Sequence, residues 1–172
     1  MTKSKASSKA GAQPAAGMRP AQRVFDAKQH DPYQAAGKYP EPTVCPDCRA
    51  IFHAGHWQWG NAPDGAHRTR CPACRRIHEK LPAGWLTLGG AHFNAHRADV
   101  LAHLHKVAAR EREEHPLNRV MAIEEGPDEV VVTTTDVHTP QRIAEALKRQ
   151  HHGDFDVQYG HDEYSVRVHW RA

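Results

Sequence analysis

Cysteine is scarce in this chain, four residues in 172, and no apolar run approaches the 18 residues that a membrane helix needs. No membrane span is therefore expected. The first 20 residues carry lysines but no apolar stretch, so no secretory signal is expected either. Hydrophobic residues make up 39% and aromatics 7%. That is below the usual level for a globular chain, so part of the sequence packs no core. There is no phosphate-binding loop, no nucleophile–base pair and no paired carboxylates, and no H-E-x-x-H motif. The expectation is a protein that is not an enzyme.

The four cysteines that are present fall as two matched pairs, Cys45-Pro46-Asp47-Cys48 and Cys71-Pro72-Ala73-Cys74, with 22 residues between them. This spacing predicts a tetrahedral Zn2+ site. Each short turn presents two thiolates to one side of an ion, and the prolines stiffen the turns. Four thiolates leave no open position for water, so the predicted site is structural rather than catalytic. Two disulfides or a redox dithiol are the alternatives. Redox C-x-x-C motifs usually come singly, and disulfides need an oxidising compartment. Paired cysteines without an export signal point to a reducing cytoplasm. His53, His56, His67 and His78 stand near the cysteines in sequence. They are expected as surface or supporting groups, although Cys₃His ligation is chemically possible.

The net charge of +3 is unevenly spread. Residues 1–41 hold seven basic and three acidic side chains, residues 42–90 six and three, and residues 91–172 ten and fourteen. A basic front suggests an anionic partner, of which nucleic acid is the commonest.

Three segments follow. Residues 1–40 form an expected disordered, basic tail: no large side chain precedes Met18, so early burial cannot offset ordering entropy. Phe25, Tyr33 and Tyr39 lie in it; packing on the next segment is favoured over stacking on bases. Residues 41–90 read as a zinc ribbon of knuckle, hairpin and knuckle, ending in an extended connector over Leu81–Gly90. Trp57 and Trp59, two apart on a strand, share a face that either packs on the next module or serves as a stacking platform; packing is favoured. Arg49, Arg68, Arg70, Arg75, Arg76 and Lys80 are grouped around the ribbon and are candidate phosphate contacts.

Residues 91–172 read as an α/β module in the order α-β-β-α-β-β. Phe93, Val100, Leu104 and Val107 recur at helical spacing up to Pro116. Thr139-Pro140 predicts an N-cap followed by proline at the first helical position. Phe155, Val157 and Tyr159, then Tyr164, Val166, Val168 and Trp170, alternate as a terminal hairpin. Ser165, Arg167, His169 and Arg171 would form its solvated face. His92, His96, Asp99 and His103 share one side of the first helix; a polar rim is favoured there over a second metal site. The fold class is thus α+β: a four-cysteine ribbon, then an α-β-β-α-β-β sandwich, preceded by the tail.

The C-P-D-C…W-x-W…C-P-A-C-R-R block, followed by P-A-G-W-L-T-L-G-G and a histidine-bearing helix, resembles a family of small proteobacterial zinc-ribbon proteins. Those are similar in turn to the N-terminal zinc region of the archaeal and eukaryotic large-subunit export adaptor, which binds ribosomes. The resemblance covers about residues 43–172. This chain departs from the adaptor in having one cysteine quartet and a much shorter length. The resemblance implies Cys45, Cys48, Cys71 and Cys74 as metal ligands, and RNA or the ribosome as partner. The expected function is therefore a cytoplasmic, zinc-binding protein associated with RNA or the ribosome. The alternative is a protein-interaction adaptor docking through Trp57 and Trp59.

Overall fold

The computed structural model describes residues 31–34, 38–161 and 163–172. Most of the expected tail, including Phe25, lies outside them.

The chain from Thr43 builds a four-stranded sheet from very short strands. β1 (Thr43–Val44) pairs antiparallel with β2 (Ile51–His53), which pairs with β3 (His56–Gln58). On its other side β1 takes β4 (His67–Arg68) in parallel. Ala54 and Gly55 close the β2–β3 hairpin with φ of 51° and 81°, the positive-φ pair that suits tight hairpins. The Glu41 carboxylate accepts from both of their amides, at 2.8 and 3.0 Å. Tyr39, Phe52 and Trp57 meet edge to face, with centroids 5.1–5.7 Å apart, and make the small aromatic core.

The second knuckle opens helix α1 (Pro72–Glu79), which the sequence reading missed. Proline at the first helical position needs no amide partner. The Cys71 sulfur accepts from the Cys74 amide at 3.4 Å, the role an N-cap side chain plays.

Leu81–Gly90 is not a free connector. β5 (Gly84–Gly89) is the middle strand of a second, five-stranded sheet. It leads to α2 (Ala91–Ala95) and α3 (Arg97–Glu114), then the hairpin β6 (Val120–Glu125) and β7 (Glu129–Thr134). α4 (Thr139–His151) and the hairpin β8 (Asp154–Tyr159) and β9 (Val166–Arg171) complete it. The order is β6-β7-β5-β9-β8, antiparallel except for the β5–β9 pair. With β7 between β5 and β6, this is a split β-α-β arrangement.

Leu86, Leu88, Val130, Val132, Val166, Val168 and Trp170 are buried together with Phe93, Val100, Leu104, Ile143 and Leu147. The helices therefore cover one face of the sheet, and the expected α+β sandwich is present with one more strand than the sequence reading allotted. The opposite face carries Arg167, which lies 4.7 Å above the Trp85 ring. Ser165, expected on that solvated face, is buried instead. It lies outside β9, and its side chain bonds the Glu163 carboxylate at 2.9 Å.

Two further expectations change. The single helix over 91–114 is broken at His96, whose φ of −122° leaves helical geometry. The cap of α4 is Asp136 rather than Thr139: its carboxylate accepts from the His138 and Thr139 amides at 2.8 Å and from Thr139 Oγ1 at 2.6 Å.

Gly84 marks where β5 runs against the start of α4. A Cβ there would meet Thr134 Oγ1 and would sit 2.6 Å from both Asp136 O and Pro140 Cγ. Gly84→Ala is expected to destabilise the fold by about 1–3 kcal/mol, the usual range for overpacking a tight site. A urea titration checks this; an unchanged midpoint would mean the strand and helix can separate at no cost.

Candidate metal centre

Cys45, Cys48, Cys71 and Cys74 bring their sulfurs within 4.8 Å of one another, the one such gathering of metal-binding side chains among the described residues. None is disulfide-bonded. Cys48 Sγ and Cys71 Sγ are 3.7 Å apart. Two sulfurs on one tetrahedral ion with bonds of about 2.3 Å would stand roughly 3.8 Å apart. The Cys48–Cys71 pair is therefore already at the spacing of a four-sulfur metal site, and the other sulfurs lie within 4.8 Å.

The two knuckles supply the geometry. The first turns tightly: Arg49 donates its amide to Cys45 O at 3.0 Å with φ of 69°, and Cys45 donates to Ala50 O at 2.8 Å. The second is the first turn of α1. The Cys71 amide also reaches across to Cys45 Sγ at 3.3 Å. Outside the sulfurs, Arg70 pairs with Asp47 at 2.5 Å and ties the second knuckle to the first.

The thiols strongly perturb one another. Hydrogen bonds from Cys45 and Cys71 hold the Cys48 thiol far below its usual range. Hydrogen bonds with Cys45 and Cys48, and then burial, push Cys71 far up. Burial pushes Cys74 up to about 11, against an opposing hydrogen bond from Arg119. Cys48 therefore favours the thiolate, and Cys71 and Cys74 favour the protonated form. A metal ion displaces the remaining protons, because it binds the deprotonated sulfur.

Arg119, which no sequence motif singled out, closes the site from the second module. It is 7% exposed. Its guanidinium donates to Cys74 Sγ at 3.3 Å and reaches Cys71 Sγ at 3.9 Å, while Nε donates to Pro116 O at 2.6 Å. Burial lowers its pKa, but hydrogen bonds and charge from Cys48, Cys71 and Cys74 more than reverse this. Leu117 packs on the ribbon cluster beside it. Trp59 completes the junction by donating Nε1–H to Arg112 O at 2.8 Å.

Trp57 is buried in the ribbon core, whereas Trp59, just past the end of β3, bonds Arg112 O at the junction but stays exposed, so the two do not share one packed face. Tyr33 and Tyr39 also pack on the ribbon, as favoured from sequence. The Tyr33 ring lies under Arg76 at 4.2 Å and its hydroxyl bonds Glu79.

Among the six candidate phosphate contacts, Arg76 needs correction. It is 4% exposed, pairs with Asp31 at 2.5 Å and donates to Leu81 O at 3.1 Å. Its position one turn into α1 turns it inward, where Asp31 meets it. Arg70 is committed to Asp47. Arg49, Arg68, Arg75 and Lys80 are exposed and carry no ion pair among the described residues. His53, His56, His67 and His78 are all exposed and are not part of the sulfur cluster. No helix among the described residues is long and apolar enough to cross a membrane.

No family model, curated protein or solved structure matches this chain.

Proposed function

We propose that the protein is a zinc-dependent, non-enzymatic RNA-binding protein of the cytoplasm and that the ribosome is the particle it binds. Zinc is the ion that best suits four thiolates in a closed tetrahedral shell, and a reducing compartment keeps those thiols available. The observation that carries the RNA assignment is the set of exposed cations Arg49, Arg68, Arg75 and Lys80, which carry no ion pair among the described residues, on the ribbon that bears the sulfur cluster; Arg75 also lies 5.1 Å over the Tyr33 ring. Phosphates are the natural counter-charge for such a group. The basic composition of residues 1–41 and the resemblance of the two C-P-x-C blocks to ribosome-binding zinc ribbons support the same assignment. Docking of a protein partner through Trp57 is disfavoured, because its indole is buried in the ribbon core; Trp59 donates to Arg112 O but is 37% exposed.

The test is sedimentation of cell lysate through sucrose with the protein probed in each fraction. Co-migration with a ribosomal subunit, lost at high salt or after RNase, is the expected result. Recovery only at the top of the gradient would refute ribosome binding.

A variant with Arg49, Arg68, Arg75 and Lys80 changed to Gln should bind ribosomal RNA at least tenfold more weakly in fluorescence anisotropy. Each lost phosphate contact removes about 0.7–0.9 from the slope of log affinity against log salt. An unchanged slope would exclude these residues. Arg76 is left out of this set because its substitution would strip Asp31 of its partner.

A further inference from the structure

A second cluster of titratable groups lies away from the sulfurs, where α2, α3 and the end of α4 meet. His151 is the last residue of α4, and His103 faces it from α3 with ring centroids 5.4 Å apart. His92, from α2, lies 6.4 Å from His151. Asp99, His103 and His151 line one groove of about 800 Å³ between α3 and α4. His103 Nδ1 and His151 Nε2 are both buried and have no hydrogen-bond partner among the described residues. An unpaired buried polar atom costs about 1–3 kcal/mol, so two of them in adjacent rings call for an occupant that accepts both lone pairs.

We propose that His92, His103 and His151, with the Asp99 carboxylate beside them, form a second metal site for a first-row divalent cation of the zinc or nickel type. Imidazole suits these ions. A metal lies about 2.0–2.1 Å from the nitrogen it binds and so roughly 3.2 Å from the ring centroid, which puts two rings on one tetrahedral ion roughly 5.2 Å apart. The His103–His151 separation matches that spacing. The His92–His151 separation is longer, and these side chains are not gathered as tightly as the four sulfurs, so the site closes only when His92 swings inward around the ion. His96 lies beside His92, with ring centroids 4.3 Å apart, and is not required for this set. Burial first, and then repulsion from His151, Lys106 and Arg149, holds His103 below the usual histidine range; burial, and then repulsion from His92, His96 and His152, does the same to His151. Both rings therefore keep a lone pair at neutral pH. Lys106 and Arg149 beside His103, and His96 and His152 beside His151, oppose a cation, whereas Asp99 favours one.

The experiment uses the full chain with its sulfur site already loaded with one equivalent of Zn2+. Further Zn2+ is titrated in against a competing chelator while the imidazole nitrogens are followed by 15N NMR. A second equivalent is expected, with the largest shifts at His103 Nδ1 and His151 Nε2. His103→Gln and His151→Gln should each weaken that second equivalent at least tenfold and leave the first unchanged. Binding of a single equivalent overturns the proposal. So does a second equivalent whose shifts fall on exposed histidines such as His53 and His56. The NMR readout on the unaltered chain stands even if a variant folds poorly. It is also independent of RNA binding, so failure here leaves the proposed function untouched.

Discussion

Cys71→Ser should strip the protein of its sulfur-bound metal and unfold the ribbon. Cys71 is at the centre of the site: it caps α1, sits 3.7 Å from Cys48 Sγ and accepts from Arg119. The ribbon has little else to hold it together. Its strands are two or three residues long, and its core outside the cysteines is chiefly Tyr39, Phe52 and Trp57. In small zinc modules the metal contributes about 10–16 kcal/mol of apparent binding free energy at neutral pH, which is also folding free energy. Metal content at the sulfur site should fall from one ion to near none, and Trp57 fluorescence should shift to that of a solvated indole. The sandwich has its own apolar core and should retain its helical circular dichroism. A strong chelator added to the unaltered protein should reproduce the Trp57 change. A full equivalent of metal in Cys71→Ser, with Trp57 still buried, would refute the four-sulfur site.

Arg119→Leu is expected to weaken metal binding and the contact between the two modules together. Leucine leaves the charge on the sulfurs without its cation and Pro116 O without its donor. Removing one partner from a buried ionic contact costs about 3–5 kcal/mol. Losing a group that supports metal ligands costs about 10–100-fold in metal affinity. Four thiolates around a dication carry a net charge of −2, and Arg119 is the buried cation that reduces it. Arg119→Lys should recover only part of the loss, because an ammonium cannot span Pro116 O and Cys74 Sγ as the guanidinium fork does. Chelator competition and urea unfolding measure the two effects. Unchanged affinity in Arg119→Leu would show that the sulfurs hold their ion without help from the second module.

The sulfur site was legible in the sequence because metal chemistry demands a local spacing that two C-P-x-C turns display openly. Much of the sandwich was legible for a similar reason: Phe155–Tyr159 and Val166–Trp170 alternate, and Phe93, Val100 and Leu104 repeat with helical period. The missed pieces depended on distant partners. Gly84–Gly89 has the Leu86/Leu88 alternation of a strand, but its place at the middle of the sheet comes from β7 and β9, far along the chain. α1 is short and largely polar, so periodicity barely marks it. Asp136 caps α4 from three residues before Thr139, a competing hydrogen bond that Thr139-Pro140 disguised. Arg119 and Arg76 look like ordinary surface cations until the fold places sulfur or Asp31 beside them. Their roles depend on burial, which a local motif does not encode.

The parallel pairing of β5 with β9 also sets an order in time. Gly84 finds Val166 as its neighbour, and Trp170 fills the centre of the apolar layer. Chains emerge from their N-terminal end, at about 5–20 residues per second. All four sulfur ligands have been synthesised once Cys74 is made, whereas the five-stranded sheet cannot close until nearly a hundred further residues follow. The nascent chain can therefore capture its ion before the sandwich exists. Arg119 can then meet a sulfur centre that has already formed when the sandwich closes around its own apolar core.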